Sequence, residues 1–298
     1  MNPENAGFIS PGDYQYTLRW QDLDRTFTVH VPPCYDGKKP VPLLVVFHGG
    51  GGNASAAIKT TEFNLKADTA GFIAAYPDGT RPRMDEEYSF RNNPQTWNEG
   101  SGRFDSGAKN IDDVGFVNAI LDALETKFNI DKKRIYATGF SNGSSMTYCA
   151  GIHLAHRFAA IAPVAGHLWP EQFELSRPLS MVFIIGLDDP LNPPAGGMVT
   201  ALGSTDFKPS IYEEVRRWAS AIGCNLTPET ILDRNGVKAV WYPDGKDGAE
   251  VIFYTVEGLG HCWPGGKELL PESLVGKTSD KLKAVDVIWD FFIKHPMK

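Results

Sequence analysis

Residues Arg134-Ile135-Tyr136-Ala137-Thr138-Gly139-Phe140-Ser141-Asn142-Gly143 carry the strongest structural signal in this chain. The first five are typical of a short buried strand, and a helical pattern, Ser144–His153, follows the last glycine. Between them stands G-x-S-x-G, which in this setting forms a sharp turn from strand to helix. Strained angles and close backbone contacts favour glycine on both sides of the serine. The pattern predicts that Ser141 stands exposed at a sheet edge as a nucleophile, and a tight turn with an incidental serine is the alternative.

Short apolar runs recur on both sides of this turn, as expected of strands that are buried on both faces. They are Pro42–Phe47, Phe72–Tyr76, Phe158–Val164, Leu179–Ile185 and Val251–Val256. Helix-like stretches separate or follow them: Ala54–Ala70, Asp112–Phe128, Ser144–His153, Ser210–Ile222 and Ser279–Ile293, the last with Asp280 as its expected cap. This alternation predicts the α/β class, with a mostly parallel sheet and helices on both faces.

The chain ends and connections complete the expected architecture. Tyr14–Trp20 and Arg25–Val31 alternate in polarity and predict an antiparallel N-terminal hairpin. No linker or internal repeat divides residues 1–298, so we expect one domain. Three irregular segments show neither the helical nor the strand periodicity of apolar residues, and long segments of this kind are usually functional. They are Asp78–Asn110, Leu187–Pro209 and Pro264–Lys277.

Composition excludes several classes of protein. The chain has 298 residues, with 29 Lys and Arg against 36 Asp and Glu, for a net charge of −7. It has no basic cluster, so we expect no nucleic-acid partner. No apolar run approaches the roughly 20 residues of a membrane span, so we expect no membrane partner. The four cysteines, Cys34, Cys149, Cys224 and Cys262, show no C-x-x-C spacing, which argues against a zinc site and leaves their redox state open.

A glycine-rich segment, His48-Gly49-Gly50-Gly51-Gly52-Asn53, follows the first buried strand. Such a segment brings backbone N–H groups close to a ligand, as an oxyanion hole requires. We expect the N–H of Asn142 and that of Gly50 or Gly51 to serve as donors, with His48 as a structural support. A phosphate-binding loop is the weaker alternative, because the Lys-Ser/Thr of a P-loop is absent.

A serine nucleophile needs a base and an acid that orients the base. His261 lies late in the chain, in a loop after an apolar strand, and His167 also follows a strand and could line the site. The order Ser…Asp…His of an α/β-hydrolase favours His261 as the base. Asp188 and Asp189 both follow the strand Leu179–Ile185, and either carboxylate could orient the imidazole.

Two further groups invite a functional interpretation. Asp112 and Asp113 could form a catalytic pair, but acids in a first helical turn stabilise the helix, so we interpret them as capping residues. Trp97, Trp169 and Trp263 lie in loops at the expected catalytic edge. They are predicted to form a substrate-binding surface for a sugar or aromatic ring, and burial in the core is the alternative.

Four motifs follow one another along the chain: His48–Asn53, Gly139–Gly143, Gly186–Pro190 and Gly260–Gly266. Together they resemble the esterase/polyhydroxybutyrate-depolymerase family, which includes feruloyl and acetylxylan esterases. The resemblance runs from about Tyr14 to Phe292 and implies an α/β-hydrolase fold. The family's H-G-x-x-D-P motif aligns its acid with Asp189, although Ile185 stands in place of the histidine.

The resemblance and the residues together predict a serine carboxylester hydrolase that works through an acyl-enzyme, with Ser141, His261 and Asp189 as its triad. Feruloyl or acetyl esters on plant polysaccharide are the expected substrates. Polyester depolymerase and acyltransferase activities are the alternatives, and a decayed scaffold that only binds carbohydrate is a third. No metal or organic cofactor is implied, and the sequence does not indicate an oligomeric state. Family members are commonly exported, which favours a secreted or periplasmic protein, with a cytoplasmic location as the alternative.

Overall fold

The computed structural model describes residues 9–201 and 204–298. The strands in these residues are β1 Gly12–Trp20, β2 Leu23–Val31, β3 Val41–Phe47, β4 Ile73–Pro77, β5 Ile130–Phe140, β6 Ala160–Val164, β7 Ser180–Gly186, β8 Gly197–Ala201, β9 Ser204–Lys208, β10 Glu229–Arg234, β11 Val237–Tyr242 and β12 Val251–Val256. The helices are α1 Ala54–Thr61, α2 Phe63–Ala70, α3 Asp105–Ala108, α4 Asp113–Lys127, α5 Asn142–His153, α6 Ile211–Ala221, α7 Glu272–Val275 and α8 Ala284–Phe292. A short 3₁₀ helix, Lys246–Gly248, precedes β12.

Ten of these strands form one sheet in the order β1-β2-β4-β3-β5-β6-β7-β12-β11-β10. The run from β4 to β12 is parallel throughout. The predicted N-terminal hairpin is present, and β2 pairs antiparallel with β4. The predicted α/β class, with its mostly parallel sheet, is therefore confirmed.

The sheet separates two hydrophobic cores, as β3 shows directly. Val45 and Phe47 pack into one core, which α4, α5 and α6 cover, whereas Leu44 and Val46 pack into the other, which α1, α2 and α8 cover. Successive side chains of a strand point to opposite faces, so an entirely apolar strand requires helices on both. The layered arrangement that the apolar runs predicted is confirmed.

Two predicted helices differ from those observed. The expected helix Ala54–Ala70 is divided at Glu62, whose φ of 59° ends α1 in the left-handed conformation. The last helix begins at Ala284 rather than at Ser279, and its N-cap residue is Lys283, without a side-chain hydrogen bond. The predicted cap at Asp280 is therefore wrong.

The interpretation of Asp112 and Asp113 as a capping pair is half right. Asp112 is the N-cap of α4 and accepts the N–H of Gly115 at 2.8 Å. Asp113 is instead buried in an ion pair with Arg25, at 2.6 Å between Oδ1 and Nη2. Its other oxygen accepts the N–H of Asn98 at 2.7 Å, and burial raises the pKa of this carboxyl.

Three strand pairings fall outside the sequence prediction. The segment expected to be irregular, Leu187–Pro209, contains the hairpin β8–β9, a separate two-stranded sheet. Strands β10 and β11 add an antiparallel extension beyond β12. Strand β10 is mostly polar and exposed to solvent. It therefore lacks the buried apolar run by which a strand can be predicted from the sequence.

All four cysteines carry free thiols. Cys149, Cys224 and Cys262 are buried, while Cys34 is exposed. Burial raises the pKa of Cys149 and of Cys262 to about 12, and that of Cys224 to about 11. No helix within residues 9–201 and 204–298 has the length and apolar character needed to cross a membrane.

Candidate active site

The turn at Ser141 has the strained geometry that G-x-S-x-G predicts. Ser141 has φ 56° and ψ −117°, directly between β5 and α5. A β-carbon on Gly143 would lie 2.3 Å from the carbonyl oxygen of Phe47, and one on Gly139 would lie 2.3 Å from that of Gly143. The obstacles are backbone atoms, which cannot move aside as a flexible side chain could. Glycine is therefore required at both positions for steric reasons.

The structure brings Ser141, His261 and Asp189 into one hydrogen-bonded chain. Nε2 of His261 lies 2.8 Å from Oγ of Ser141, and Nδ1 of His261 lies 2.8 Å from Oδ2 of Asp189. The residues follow β5, β12 and β7, so the carboxyl ends of the parallel strands position all of them. Asp188 is exposed, whereas Asp189 is 3% exposed and makes the contact.

Asp189 is held by its second oxygen as well as by the imidazole. Its Oδ1 accepts the backbone N–H groups of Leu191 at 2.9 Å and Asn192 at 2.8 Å. The side-chain amide of Asn192 donates in turn to the carbonyl of Ala165 at 2.8 Å. Backbone donors of this kind fix the orientation of the carboxylate. Because a carboxylate accepts, Nδ1 of His261 is the protonated nitrogen and Nε2 faces the serine as an acceptor.

The loop that carries His261 is packed closely against the end of β7. A β-carbon on Gly186 would lie 2.0 Å from the carbonyl oxygen of Leu259, so the two segments touch through their backbones. The imidazole ring of His261 lies 4.9 Å from the ring of Phe140, the residue before the nucleophile. These contacts restrict the imidazole to a position between the serine and the carboxylate.

The glycine-rich segment lies beside the turn, but its two candidate donors differ. The N–H of Gly51 donates to the carbonyl of Gln95 at 2.8 Å, so it is already engaged, and the expectation that it binds an oxyanion is wrong. Gly50 lies against the turn, because a β-carbon there would be 3.4 Å from Cβ of Asn142. Gly50 and Asn142 therefore stay the predicted donors.

His48 supports this segment from behind. Its Nδ1 donates to the carbonyl of Gly49 at 2.8 Å, and its Nε2 accepts the N–H of Gly79 at 2.9 Å. Burial lowers the pKa of His48, which is consistent with a neutral ring that both donates and accepts. The ring joins the glycine-rich segment to the segment after β4, as a structural support would.

Two of the three tryptophans predicted to bind substrate are in the core. Trp97 is fully buried: its indole N–H donates to the carbonyl of His48, and its backbone N–H donates to Oδ1 of Asn142. Trp263 is 2% exposed and packs edge-on against Phe63. Neither ring has a free face, so the prediction of a substrate-binding surface is wrong for Trp97 and Trp263. Trp169 is half-buried beside the pocket, and its role stays a prediction.

Ser141 and His261 open into a pocket of about 660 Å³, within the usual range for small-molecule sites. Apolar lining side chains include Phe90, Phe104, Leu191, Leu269, Leu270 and Leu274. Polar and charged lining side chains include Arg103, Ser145, His167, Asp206, Lys208 and Glu268. The sequence pointed to His167 as a lining residue but missed Arg103 and Lys208. Arg103 lies in the irregular segment Asp78–Asn110 and Lys208 in the irregular segment Leu187–Pro209, but no local motif singles out either side chain.

Across the described ranges, no three His, Cys, Asp or Glu side chains are grouped so that they could hold a metal ion. The polar side chains next to Ser141 include the imidazole of His261 and, beyond it, the carboxylate of Asp189, in one hydrogen-bonded chain. An imidazole between a hydroxyl and a carboxylate is the arrangement that nucleophilic acyl transfer uses.

Comparison with known proteins places the chain in a family. The sequence profile described as esterase PHB depolymerase matches residues 25–182. NocK of Nocardia uniformis subsp. tsuyamanensis is 29% identical over 278 residues, which cover 85% of this chain and 74% of NocK. Feruloyl esterase B of Piromyces equi is 30% identical over 252 residues, which cover 82% of this chain and only 44% of that protein.

A solved structure supports the fold independently. The acetyl xylan esterase from Aspergillus awamori superposes with a TM-score of 0.58 at 16% identity, covering 84% of this chain and 94% of that one. At this identity the likeness concerns the fold alone. Because the family profile matches more than half of the chain, the protein belongs to the esterase PHB depolymerase family and is a carboxylic ester hydrolase.

Proposed function

We propose that this esterase is a serine hydrolase in which Ser141 is the nucleophile, His261 the general base and Asp189 the orienting acid. The observation that carries the proposal is the pair of 2.8 Å contacts that link the three side chains. A hydroxyl is a poor nucleophile near neutral pH, and an imidazole within hydrogen-bond distance is the group that activates it.

The reaction follows from this geometry. Oγ of Ser141 attacks the ester carbonyl carbon while Nε2 of His261 takes its proton. The N–H groups of Asn142 and Gly50 stabilise the oxyanion, and the imidazolium then protonates the departing alcohol. Water attacks the acyl-enzyme, His261 accepts a proton from that water, and collapse of the second intermediate releases the acid and returns the proton to Ser141.

Asp189 acts through His261 in this scheme. Its carboxylate accepts from Nδ1, which keeps the proton off Nε2 in the resting enzyme and stabilises the imidazolium when it forms. The two backbone N–H groups at its other oxygen support this role, because they hold the carboxylate in place without neutralising it.

Ser141→Ala tests the proposal with p-nitrophenyl acetate as substrate. The variant keeps the fold because alanine only removes the hydroxyl oxygen, and we expect its kcat to fall by about 10³–10⁶-fold. Residual activity near that of the wild type would exclude Ser141 as the nucleophile. A matched Ser220→Ala variant, which changes an exposed serine of α6, controls for serine removal away from the pocket.

For the substrate, we propose feruloyl or acetyl esters of plant polysaccharide. The name of the relative feruloyl esterase B supports this choice, as does a pocket lined by Phe90 and Phe104 that suits an aromatic acyl group. The family description keeps short polyhydroxybutyrate esters as the second candidate. Rates on methyl ferulate, acetylated xylan and polyhydroxybutyrate, measured with one preparation, separate these candidates.

We also propose that the chain forms a single catalytic domain. The sheet supports this, because it takes strands from Gly12 to Val256 and carries all three triad residues at one edge. The closing helix α8 packs on the same sheet.

A further inference from the structure

One wall of the pocket gathers cationic side chains around Trp169. The guanidinium of Arg103 lies 4.1 Å from the centre of the Trp169 ring, and Nζ of Lys208 lies 5.7 Å from it. The His167 ring lies 4.9 Å from the same ring. Arg103, His167 and Lys208 also line the pocket that contains Ser141. We call these four residues the Trp169 cluster.

Lys208 is the unusual member of the Trp169 cluster. It is 7% exposed, and burial together with the charge of Arg103 lowers its pKa. Among the residues that the structure describes, Nζ of Lys208 has no hydrogen-bond acceptor and no carboxylate at ion-pair distance. A buried ammonium without a counter-charge is unfavourable, so an anion that enters this pocket would gain a strong partner.

Other polar atoms of the Trp169 cluster are also unpaired. The indole N–H of Trp169 and Nε2 of His167 are buried and have no hydrogen-bond partner within the described ranges. Nδ1 of His167 is occupied, at 3.2 Å from both oxygens of Glu214, so Nε2 is the nitrogen left for a ligand. The indole can only donate, and a ligand oxygen is therefore its matching partner.

The nearby acids pair directly with Arg103 but not with Lys208. Glu99 forms an ion pair with Arg103 at 3.2 Å, which balances that guanidinium. The charges of Asp206, Glu99 and Asp189 partly offset the lowering of the Lys208 pKa, but none of these carboxylates forms an ion pair with its Nζ. The cation of Arg103 covers a face of the Trp169 ring, which disfavours stacking of a neutral sugar there. A substrate carboxylate at ion-pair distance would be the direct partner that the Lys208 ammonium lacks.

We propose that Lys208, with Arg103 and Trp169 beside it, binds a free carboxylate of the substrate. The esterase then prefers monoanionic esters to neutral esters of the same size. The carboxylate can belong to the acyl part, as in a half-ester of a dicarboxylic acid, or to the alcohol part, as in an ester of a hydroxy acid. This inference rests on the proposed function, because the carboxylate binds in the pocket of the Ser141 nucleophile.

The test compares matched pairs of esters. Mono-4-nitrophenyl succinate and 4-nitrophenyl butyrate differ in the acyl part, and O-acetylglycolate and O-acetylglycolamide differ in the alcohol part. We expect kcat/KM for the charged ester to be tenfold higher than for its neutral partner in at least one pair. Lys208→Met should reduce this preference for the charged ester at least tenfold. Lys238→Met, which removes a lysine charge from the exposed side of β11, should leave the preference unchanged.

The outcomes separate the two proposals. If the wild type cleaves the neutral esters and shows no preference for the charged one in either pair, the carboxylate site is refuted and the serine-hydrolase proposal stands. If it cleaves none of the four, the serine-hydrolase proposal fails. Should Lys208→Met not fold, inhibition of the wild type decides: glycolate should inhibit at a tenfold lower concentration than glycolamide, and equal inhibition overturns the inference.

Discussion

Ser141 shows how local backbone strain positions a side chain. Its φ of 56° with ψ −117° lies outside the regions that L-residues prefer, at a cost of about 1–3 kcal/mol. The surrounding backbone maintains this conformation, because Gly143 lies directly against the carbonyl groups of Phe47 and His48. The hydroxyl is thereby held at hydrogen-bond distance from His261.

Gly143→Ala tests the steric argument. Its β-carbon would lie 2.3 Å from the Phe47 oxygen and 2.4 Å from the His48 oxygen, so we expect a loss of about 3 kcal/mol or more in the free energy of unfolding. Gly50→Ala is the comparison, since its β-carbon would make an ordinary 3.4 Å contact with Cβ of Asn142. Urea unfolding measures both variants, and equal stability of the two would contradict the argument.

Asp189→Asn tests the orientation of the imidazole. An amide that donates to Nδ1 would favour the wrong tautomer, with the proton on Nε2, so kcat should fall by about 10³–10⁴-fold. Asp188→Asn is the matched control, because its exposed side chain lies next in the chain and does not contact His261. Steady-state kinetics on p-nitrophenyl acetate gives the answer. A similar loss in both variants would reject the assignment of Asp189.

At the scale of elements, the long segment after β4 is tied to the sheet by buried polar contacts. Asp113 of α4 pairs with Arg25 of β2 and accepts the N–H of Asn98 from that segment. Asn142 of α5 accepts the N–H of Trp97, one residue earlier in the segment. The irregular segment is thus ordered where it borders the pocket.

Asp113→Ala should be far more costly than Asp112→Ala. Removing Asp113 leaves the buried guanidinium of Arg25 without its carboxylate, which costs about 3–5 kcal/mol. Removing the cap at Asp112 costs about 1 kcal/mol. Chemical denaturation of the two variants measures the difference, and comparable losses would argue against a structural role for the Asp113 pair.

The parts of the fold and site that the sequence predicted are those governed by local sterics and periodicity. The turn at Ser141 requires its glycines because of contacts within a few residues, so the motif could be read directly. The burial of Trp97 depends on how a long irregular segment packs against His48 and Asn142, and no local pattern encodes that. The same is true of the engaged N–H of Gly51 and of Lys208, which reaches the pocket from the hairpin β8–β9.

At the scale of the whole molecule, the fold joins residues that are distant in sequence. His261 lies 72 residues from Asp189 and 120 from Ser141, yet one edge of the ten-stranded sheet brings all three together. The core that carries them needs no covalent crosslink, because two apolar layers cover the sheet.

The free thiols provide a check on this packing. Cys34 is exposed, while the other three cysteines are buried with raised pKa values, so only Cys34 should react rapidly with a thiol reagent in the native protein. Four thiols should react after denaturation. Cys34→Ser should remove the fast reaction. Fewer than four thiols in the unfolded chain under anaerobic conditions would contradict the free state of the cysteines.

Labelling with a fluorophosphonate probe, followed by mapping of the adduct by mass spectrometry, tests the central claim most directly. The probe forms a covalent bond only with a serine that a neighbouring base activates. We predict one adduct, on the peptide that carries Ser141. Labelling should fall strongly in His261→Ala and should be absent in Ser141→Ala. An adduct on another serine, or labelling that persists without Ser141, would contradict the account.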